Sequence, residues 1–210
     1  MYWLVHNSTM VMKSYSSQRG RPRSFDEEEA LVAAMHYFWE HGYDASSIGE
    51  LLKVMHIKKS SFYATFKNKE ELFARAIKLY RKQYIAFLQQ IREKKGAKQT
   101  LLTLLDNIQQ ELQDTGKVRG CLVMNSGKEC YRRHENLSQK VNAEFNFLYA
   151  FFTELINEAK KDGEISNTED ANKIALQYIN ALNGLVVTIQ AGANRAMVNM
   201  LASSIKSILM

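Results

Sequence analysis

An all-α fold is the structure that this sequence predicts, and three observations predict it. Apolar residues recur at intervals of three and four along most of the chain, which is typical of amphipathic helices, and no strand pattern competes with them. A single proline in 210 residues leaves few positions that must interrupt a helix. Hydrophobic residues make up 46% of the chain, a fraction typical of a folded globular protein rather than a disordered one. We expect about nine helices from these periodic segments.

The first helix is predicted directly after the basic segment "GRPR". Ser24 or Asp26 can cap its first turn, and the three glutamates that follow suit the positive end of the helix dipole. Gly42 is a typical stop signal. One apolar stripe lies between these limits, and its members are Leu31, Ala34, Met35, Phe38 and Trp39.

A second, short helix begins after Ser46 or Ser47, either of which can cap it. A tight turn at His56 separates it from a third helix, which starts near Lys58. The inner face of the second helix carries Ile48, Leu51, Leu52 and Met55. Three short helices with a tight turn between the second and third make a helix-turn-helix, whose last helix enters the major groove of DNA.

The third helix has two faces of different composition. Phe62 and Phe66 are four residues apart, so they share a face and anchor the helix to its predecessors. Lys59, Tyr63 and Lys67 follow the same spacing on another face. Cations and hydroxyl groups arranged in this way can bind phosphates. A merely solvated charged face is the alternative, and the three-helix context favours the phosphate-binding interpretation.

Longer helices fill the rest of the chain. Asn68 can cap the fourth helix, and Glu71 is placed for a reciprocal capping box. Apolar periodicity then predicts helices over about 69–93, 98–114 and 135–161, a short helix after "GC", and two more that contain 171–185 and 197–208.

Lys69 independently points to a nucleic acid. It lies in the first turn of the fourth helix, where the helix dipole disfavours a cation by about 0.3–1 kcal/mol. A DNA phosphate held there by backbone N–H groups and by the ammonium would reverse the sign of that interaction.

The formal charge of +6 is concentrated in the first part of the chain. Residues 1–95 hold 16 Lys and Arg against 10 Asp and Glu, whereas residues 96–210 hold 12 of each sign, so a polyanion is the natural partner of the first part. We expect residues 1–20 to be a loose leader, because they lack the basic start and the continuous apolar run of a signal peptide. The longest uncharged stretch, 174–194, carries too many amides for a membrane span. We expect a soluble cytoplasmic protein.

Residues 20–73 resemble the N-terminal domain of the TetR/AcrR family of transcriptional regulators. The similarity lies in a helix, "GY", a serine pair, a second helix, "SFYATF" and "KEELF", in that order. The resemblance implies a homodimer in which residues 21–68 form the helix-turn-helix DNA-binding domain and residues 69–210 a helical ligand-binding and dimerisation domain. Its partner would be double-stranded DNA with an inverted-repeat operator. The family usually has glycine at the position of His56, and histidine tolerates positive φ only at a cost.

The resemblance also assigns DNA contacts to individual positions. Phosphate contacts fall on Ser47, Ser61, Tyr63 and Lys69, and base-edge contacts fall on Lys58, Lys59 and Ser60. Arg21 and Arg23 in the basic arm would reach phosphates or the minor groove. These roles agree with the face identified from spacing, to which Lys67 also belongs. Phosphate contacts position a protein without reading sequence, so these residues do not reveal the operator.

Aromatic stripes mark the predicted ligand domain. Tyr80, Tyr84 and Phe87 share a face of the fourth helix, and Phe145, Tyr149 and Phe152 share a face of the seventh. Such stripes are usually core, but the resemblance places family pockets between these helices. An aromatic-walled cavity suits a small hydrophobic ligand with one or two polar handles.

The last two helices are predicted to form the homodimer interface. The uncharged run 174–194 contains small residues that let helices approach closely, namely Ala181, Gly184, Ala191 and Gly192. Burial within a single protomer is the alternative. A dimer would supply the two recognition helices that a two-fold operator requires.

Cys121 follows a glycine at a predicted helix start, with Lys117 and Arg119 close in sequence. Helix N-termini and cations lower a thiol pKa, so the position favours a reactive thiolate. The "GCL" segment also resembles that of a TetR subgroup in which some members sense electrophiles or oxidants through this cysteine. An inert buried cysteine is the alternative. Cys130 and His134, four residues apart, are two candidate metal ligands, which is too few for a metal site.

No catalytic motif competes with a regulatory role. The sequence has no Gly-rich phosphate loop, nucleophile elbow, HExxH motif or apolar pair of carboxylates, so we expect neither an enzyme nor a bound cofactor. We predict a sequence-specific transcriptional regulator, a repressor by family tendency, that a small hydrophobic ligand releases from its operator. The alternatives are a thiol-based repressor acting through Cys121, a sequence-independent DNA-binding protein and, less favoured, an enzyme.

Overall fold

The computed structural model describes residues 25–210, and these residues form nine α-helices and no β-strand. The helices are α1 (Glu27–His41), α2 (Ile48–Val54), α3 (Lys59–Phe66), α4 (Lys69–Lys95), α5 (Ala97–Thr115), α6 (Leu122–Cys130), α7 (Glu135–Lys161), α8 (Ala171–Gln190) and α9 (Arg195–Ser207). The all-α fold predicted from the sequence is confirmed, because each periodic segment forms a helix.

The first three helices, called the head below, pack their apolar faces against one another and against α4. Phe38 of α1 meets Phe73 of α4 edge to face, with 4.8 Å between the ring centroids. Phe62 and Phe66 of α3 are fully buried, as their spacing predicts. Arg75 of α4 covers this core from outside, because its guanidinium lies 4.7 Å above the Phe66 ring.

Side chains cap the helices at the predicted positions. Ser47 and Glu50 form a reciprocal capping box at the start of α2. Asn68 caps α4 by accepting a hydrogen bond from the N–H of Glu71 at 2.8 Å. The expected box at α4 is nevertheless incomplete, because the Glu71 carboxylate instead pairs with Lys140 of α7 at 2.6 Å. The ion pair between Glu71 and Lys140 thus replaces the second hydrogen bond of the capping box.

The turn between α2 and α3 holds His56 in a left-handed conformation, with φ of 54°. The N–H of His56 donates to the carbonyl of Lys53, and the N–H of Ile57 donates to the carbonyl of Leu52, both at 3.2 Å. These two hydrogen bonds define a Schellman C-cap, whose left-handed position is usually occupied by glycine. The turn is therefore regular, and His56 bears the conformational strain.

We expect His56→Gly to raise the free energy of unfolding by about 0.5–1 kcal/mol, because glycine has no Cβ to oppose the left-handed backbone. His56→Val should lower it by about 1–2 kcal/mol, since a β-branched residue fits this conformation worst. Urea unfolding followed by circular dichroism would measure both changes. Equal transition midpoints for the glycine and valine variants would contradict the strain assigned to this turn.

Helices α4 to α9 enclose a second, larger set of buried side chains. Tyr178 of α8 is fully buried, and its hydroxyl donates to the carbonyl of Leu101 on α5. Arg81 of α4 pairs with Glu144 of α7 at 2.6 Å, which joins the two longest helices. Within residues 25–210, no helix combines the length and the apolar character that crossing a membrane requires.

Candidate DNA-binding surface and ligand cavity

The outward side chains of α3 form one surface, called the recognition surface below. It consists of Lys58, Lys59, Ser60, Tyr63 and Lys67, and all five are exposed. Lys58 is the N-cap residue of α3 and Lys67 follows its last turn, so the surface spans the whole helix. Helix α3 contains no acidic residue, and the surface therefore carries a positive potential.

Tyr63 combines a supported ring with an accessible surface. Its ring packs edge to face against buried Phe62, with 5.2 Å between centroids, while 44% of the residue remains exposed. Ser61 is half-buried on the same helix. Ser47 is exposed, but its hydroxyl serves the α2 cap by donating to Glu50 at 2.8 Å, so a phosphate would share this hydroxyl with the cap. Arg21 and Arg23 lie outside the described residues, as does the leader 1–20.

Lys69 has an internal role that its sequence position did not predict. Its ammonium donates to the carbonyls of Tyr43 at 2.7 Å and Ser46 at 2.9 Å, and it lies 4.2 Å from the centroid of the Tyr43 ring. Burial lowers the pKa of Lys69, although Asp44 and Glu129 partly oppose this shift. The ammonium thus ties α4 to the segment between α1 and α2. A phosphate contact here would depend mainly on the backbone N–H groups that begin α4.

A cavity of about 50 Å³ lies among α4, α5, α6, α7 and α8. Its wall is apolar with a few uncharged polar groups, and none of the described residues that line it carries a formal charge. The lining residues are Tyr84, Leu104, Asn107, Ile108, Gly120, Cys121, Met124, Phe145, Leu148, Phe152, Ile179, Leu182, Asn183 and Val186.

Half of the aromatic residues predicted to bind a ligand belong to this wall. Tyr84, Phe145 and Phe152 line the cavity, whereas Tyr80, Phe87 and Tyr149 lie outside the wall. Tyr80 turns towards the head, where its ring meets that of Trp39 edge to face at 5.0 Å. Each aromatic stripe follows one face of its helix, as the spacing predicts. Only part of each face borders the cavity, because the cavity is small.

Cys121 lines the cavity and is the N-cap residue of α6. Burial raises the pKa of its thiol, and backbone N–H groups at the start of α6 offset only part of that increase. Arg119, expected to activate this thiol, instead stacks 4.3 Å from the centroid of the Trp39 ring and pairs with the buried Glu111 at 3.4 Å. Cys121 is therefore a protonated thiol at neutral pH in this conformation.

The second cysteine belongs to a different environment. Cys130 is fully buried, and burial together with the nearby Glu129 and Asp44 carboxylates raises its pKa to about 11. The imidazole Nε2 of His134 lies 2.6 Å from Asp44 Oδ1, and this hydrogen bond lowers the pKa of Asp44. Across residues 25–210, no three His, Cys, Asp or Glu side chains are grouped so that they could hold a metal ion. His134 instead links the start of α7 to the head.

The N-terminal end of α6 is fixed to the head through Gly120. The buried Trp39 Nε1 donates to the Gly120 carbonyl at 3.0 Å. Gly120 has φ of 75°, and a Cβ at this position would lie 2.8 Å from Cγ1 of Val186 on α8, so only glycine fits here. One residue thus contacts the head, α8 and the cavity.

Glu129 fixes the other end of α6. Its carboxylate accepts hydrogen bonds from the N–H groups of Tyr43 at 2.9 Å and Asp44 at 2.8 Å, just beyond the end of α1. Gly42 has φ of 82°, and a Cβ on it would lie 2.9 Å from Glu129 Oε1, so glycine leaves the room that the carboxylate needs. We call this contact the Glu129 latch. Both ends of α6 are therefore hydrogen-bonded to the head.

Sequence reasoning missed the Glu129 latch, the Trp39 contact and the place of Asn107 in the cavity wall. Each had at most a weak local signal. Asn107 lies beside the unbroken apolar stripe of α5, directly before Ile108, where an amide gives no sign that it borders a cavity. Nothing near Glu129 in the sequence indicates that its partners lie at the end of α1.

The chain matches two family profiles that cover most of its length. Residues 30–76 match "Bacterial regulatory proteins, tetR family", and residues 97–204, more than half of the chain, match "Tetracyclin repressor-like, C-terminal domain". The first match contains α2, α3 and the recognition surface. The second contains α5 to α8 and therefore most of the cavity wall.

Individual transcriptional regulators are similar to this chain in sequence or in structure. The HTH-type transcriptional repressor ComR of Escherichia coli (strain K12) is 25% identical over 194 residues, which cover 91% of this chain and 90% of ComR. The solved structure of a cysteine mutant of the TetR family transcriptional regulator CifR, complexed with 26-base-pair operator DNA, has a TM-score of 0.71 at 26% identity and covers 90% of this chain and 98% of that one. FadR of Bacillus subtilis in complex with stearoyl-CoA shares the fold, with a TM-score of 0.66 at 20% identity over 88% of this chain and 97% of FadR. The chain belongs to the TetR family of bacterial regulatory proteins and is a DNA-binding transcriptional regulator, not an enzyme.

Proposed function

We propose that this protein is a homodimeric repressor that binds an inverted-repeat operator through its recognition surface and is released by a small hydrophobic ligand in its cavity. The observation that carries the proposal is the attachment of α6, which borders the cavity, to the head at both of its ends. ComR is a transcriptional repressor, and CifR binds operator DNA. We extend both properties to this chain. Such a protein acts in the cytoplasm.

An exposed apolar face on the last two helices supports the homodimer. Leu176 and Val187 on α8 are 47% and 55% exposed, and Met200 on α9 is 67% exposed, and several exposed large apolar side chains on two neighbouring helices are typical of an interaction surface. Gly184 lies between the first two in the sequence of α8, and a Cβ placed on it would meet no atom within 4 Å outside the adjacent backbone of its own helix. Exposed apolar side chains beside a small residue suit helix packing against a second copy.

The ligand would act by moving α6. The cavity is small in the described conformation, so a ligand larger than a few atoms must push its walls apart. The wall residues Gly120, Cys121 and Met124 lie at or just before the first turn of α6, and Trp39 and the Glu129 latch carry the displacement to α1. In a dimer, a small rotation of each head changes the distance between the two recognition surfaces. Both heads then no longer fit successive major grooves.

The direct test is fluorescence anisotropy of the purified full chain on DNA from upstream of its own gene, with random DNA of equal length as the competitor. We expect specific binding that weakens steeply as salt rises, because lysine–phosphate contacts release counterions. Equal affinity for both DNAs would instead favour the sequence-independent binding protein. No binding to either at low salt would contradict the proposal.

A second candidate function, sensing of electrophiles through Cys121, is favoured by one observation. The Cys121 thiol lies in the cavity wall at the N-terminal end of α6, so an adduct on sulfur would occupy the same space as a ligand. Its raised pKa makes the thiol a weak nucleophile at neutral pH, so this route needs a strong electrophile or an opened cavity.

We expect N-ethylmaleimide to alkylate Cys121 slowly at pH 7 and faster as pH rises towards the thiol pKa, because only the thiolate reacts. If the thiol is the sensor, alkylation should abolish operator binding in the natural sequence and leave binding intact in Cys121→Ser. Cys130→Ser is the matched control, since that thiol is buried outside the cavity wall. Operator binding that survives complete alkylation of Cys121 would eliminate the thiol route and leave reversible ligand binding.

A further inference from the structure

The polar groups of the cavity wall restrict the chemical class of its ligand. Every lining side chain is uncharged at neutral pH, including the Tyr84 hydroxyl and the Cys121 thiol, whose pKa values are raised by burial. A carboxylate, phosphate or ammonium entering this space would lose its hydration and find no counter-charge, which is strongly unfavourable.

Two asparagines line the cavity, and they differ in what their amides already bind. Asn183 Nδ2 donates to the carbonyl of Ile179 in its own helix at 2.8 Å. Asn107 Nδ2 is buried and has no acceptor among the described residues. A buried N–H group without an acceptor is destabilising and uncommon in folded proteins, so its presence beside a cavity points to a partner that binds there.

We propose that the cavity takes a small uncharged ligand with an apolar body and one hydrogen-bond acceptor, such as a ketone or aldehyde, and that Asn107 Nδ2 donates to that acceptor. This inference rests on the proposed function, because it names the chemical class of the releasing ligand. Asn107 selects the polar group of the ligand, whereas the aliphatic and aromatic wall selects its apolar body. Because the cavity measures only about 50 Å³, the best ligands are compact.

Binding of four compact probes to the purified full chain, without DNA, tests this selection. Cyclopentanone carries the acceptor, methylenecyclopentane replaces its oxygen by a CH2 group of nearly equal shape, cyclobutanecarboxylate is an anion and cyclopentylamine is a cation. The methyl signal of Met124, a wall residue, reports binding in NMR titrations. We expect cyclopentanone to bind about ten-fold more tightly than methylenecyclopentane, and the two ions to bind at least about a hundred-fold more weakly than the ketone.

Two matched variants separate the role of Asn107 from mere packing. Asn107→Leu should bring the affinities of cyclopentanone and methylenecyclopentane within about two-fold of each other while retaining hydrocarbon binding. Asn183→Leu should preserve the ten-fold preference, because that amide already donates within α8. A preference unchanged in Asn107→Leu, tight binding of the carboxylate or the amine, or no binding of cyclopentanone at millimolar concentration would overturn the inference.

Fluorescence anisotropy then measures, independently of the binding titrations, whether the same probes release operator DNA. Ketone binding without operator release would contradict the proposed function but leave the ligand class standing. Operator binding and release by a charged ligand alone would preserve the function and overturn the ligand class.

Discussion

Replacing Lys58, Lys59 and Lys67 together by alanine should reduce operator affinity by on the order of a thousand-fold or more at physiological salt. Each protomer would lose three contacts, and a dimer six, with base-edge or phosphate contacts contributing about 1–3 kcal/mol each at the most favourable positions. All three side chains are exposed, so the free energy of unfolding should change little. The same variant should also lower the salt dependence. The slope of log K against log salt should fall in magnitude by about two if only Lys67 of each protomer binds a phosphate, and by about five if all three lysines do.

Fluorescence anisotropy at several salt concentrations measures both quantities. The matched control replaces Lys94, Lys95 and Lys161, which are also exposed but lie at the C-terminal ends of α4 and α7, outside the head. It removes the same total charge and should change operator affinity by less than about ten-fold through the general electrostatic field. If the two triple variants weaken binding equally, net charge rather than the recognition surface holds the DNA, and the assignment of α3 is wrong.

Replacing Glu129 by alanine should lower the free energy of unfolding by about 2–3 kcal/mol. The carboxylate accepts two backbone N–H groups at 2.8 and 2.9 Å, and charged acceptors stabilise such hydrogen bonds more than neutral ones. Glu129→Gln keeps the shape of the side chain but has one accepting oxygen, so its effect should be about half as large. Glu135→Ala, at an exposed position that begins α7, is the control and should lower the free energy of unfolding by no more than about 1 kcal/mol, because it loses only the interaction of its carboxylate with the helix dipole.

Hydrogen exchange tests the latch more directly than stability does. In Glu129→Gln the amide protons of Tyr43 and Asp44 should exchange at least about ten-fold faster, while those in the middle of α1 and α4 keep their protection. Exchange that accelerates equally throughout the chain would indicate general destabilisation. Unchanged exchange at Tyr43 and Asp44 would show that these N–H groups do not depend on the carboxylate.

If the proposed coupling through α6 is correct, Glu129→Gln also separates ligand binding from operator release. The variant should bind cyclopentanone normally, because Glu129 does not line the cavity. It should then release operator DNA less completely at saturating ketone, since one of the two attachments between α6 and the head is weakened. A release curve identical to that of the natural sequence would place the coupling entirely on the Trp39 contact.

Local signals in the sequence determined the helices and the recognition surface. A cap, an apolar period and a stop signal act within one or two turns, so Asn68 and Gly42 could be placed, and the cap of α2 narrowed to Ser46 or Ser47, without knowing what the helices touch. The face of α3 follows from the same short-range geometry, because Phe62 and Phe66 face inward and therefore leave Lys59 and Tyr63 outside. The place of Cys121 at the start of a helix was likewise predictable, although its raised pKa was not.

Only the tertiary structure decided how the parts are connected. Glu129 and Tyr43 are 86 residues apart, and Trp39 and Gly120 are 81 apart, so no periodicity within one helix relates them. The internal partners of Lys69 and the unpaired amide of Asn107 depend in the same way on which elements dock beside them. The sequence alone predicted the helix-turn-helix head and the longer helices that follow it, because both depend on short-range order. The cavity, the thiol environment and the attachment of α6 depend on long-range packing, which brings together residues that share no local pattern.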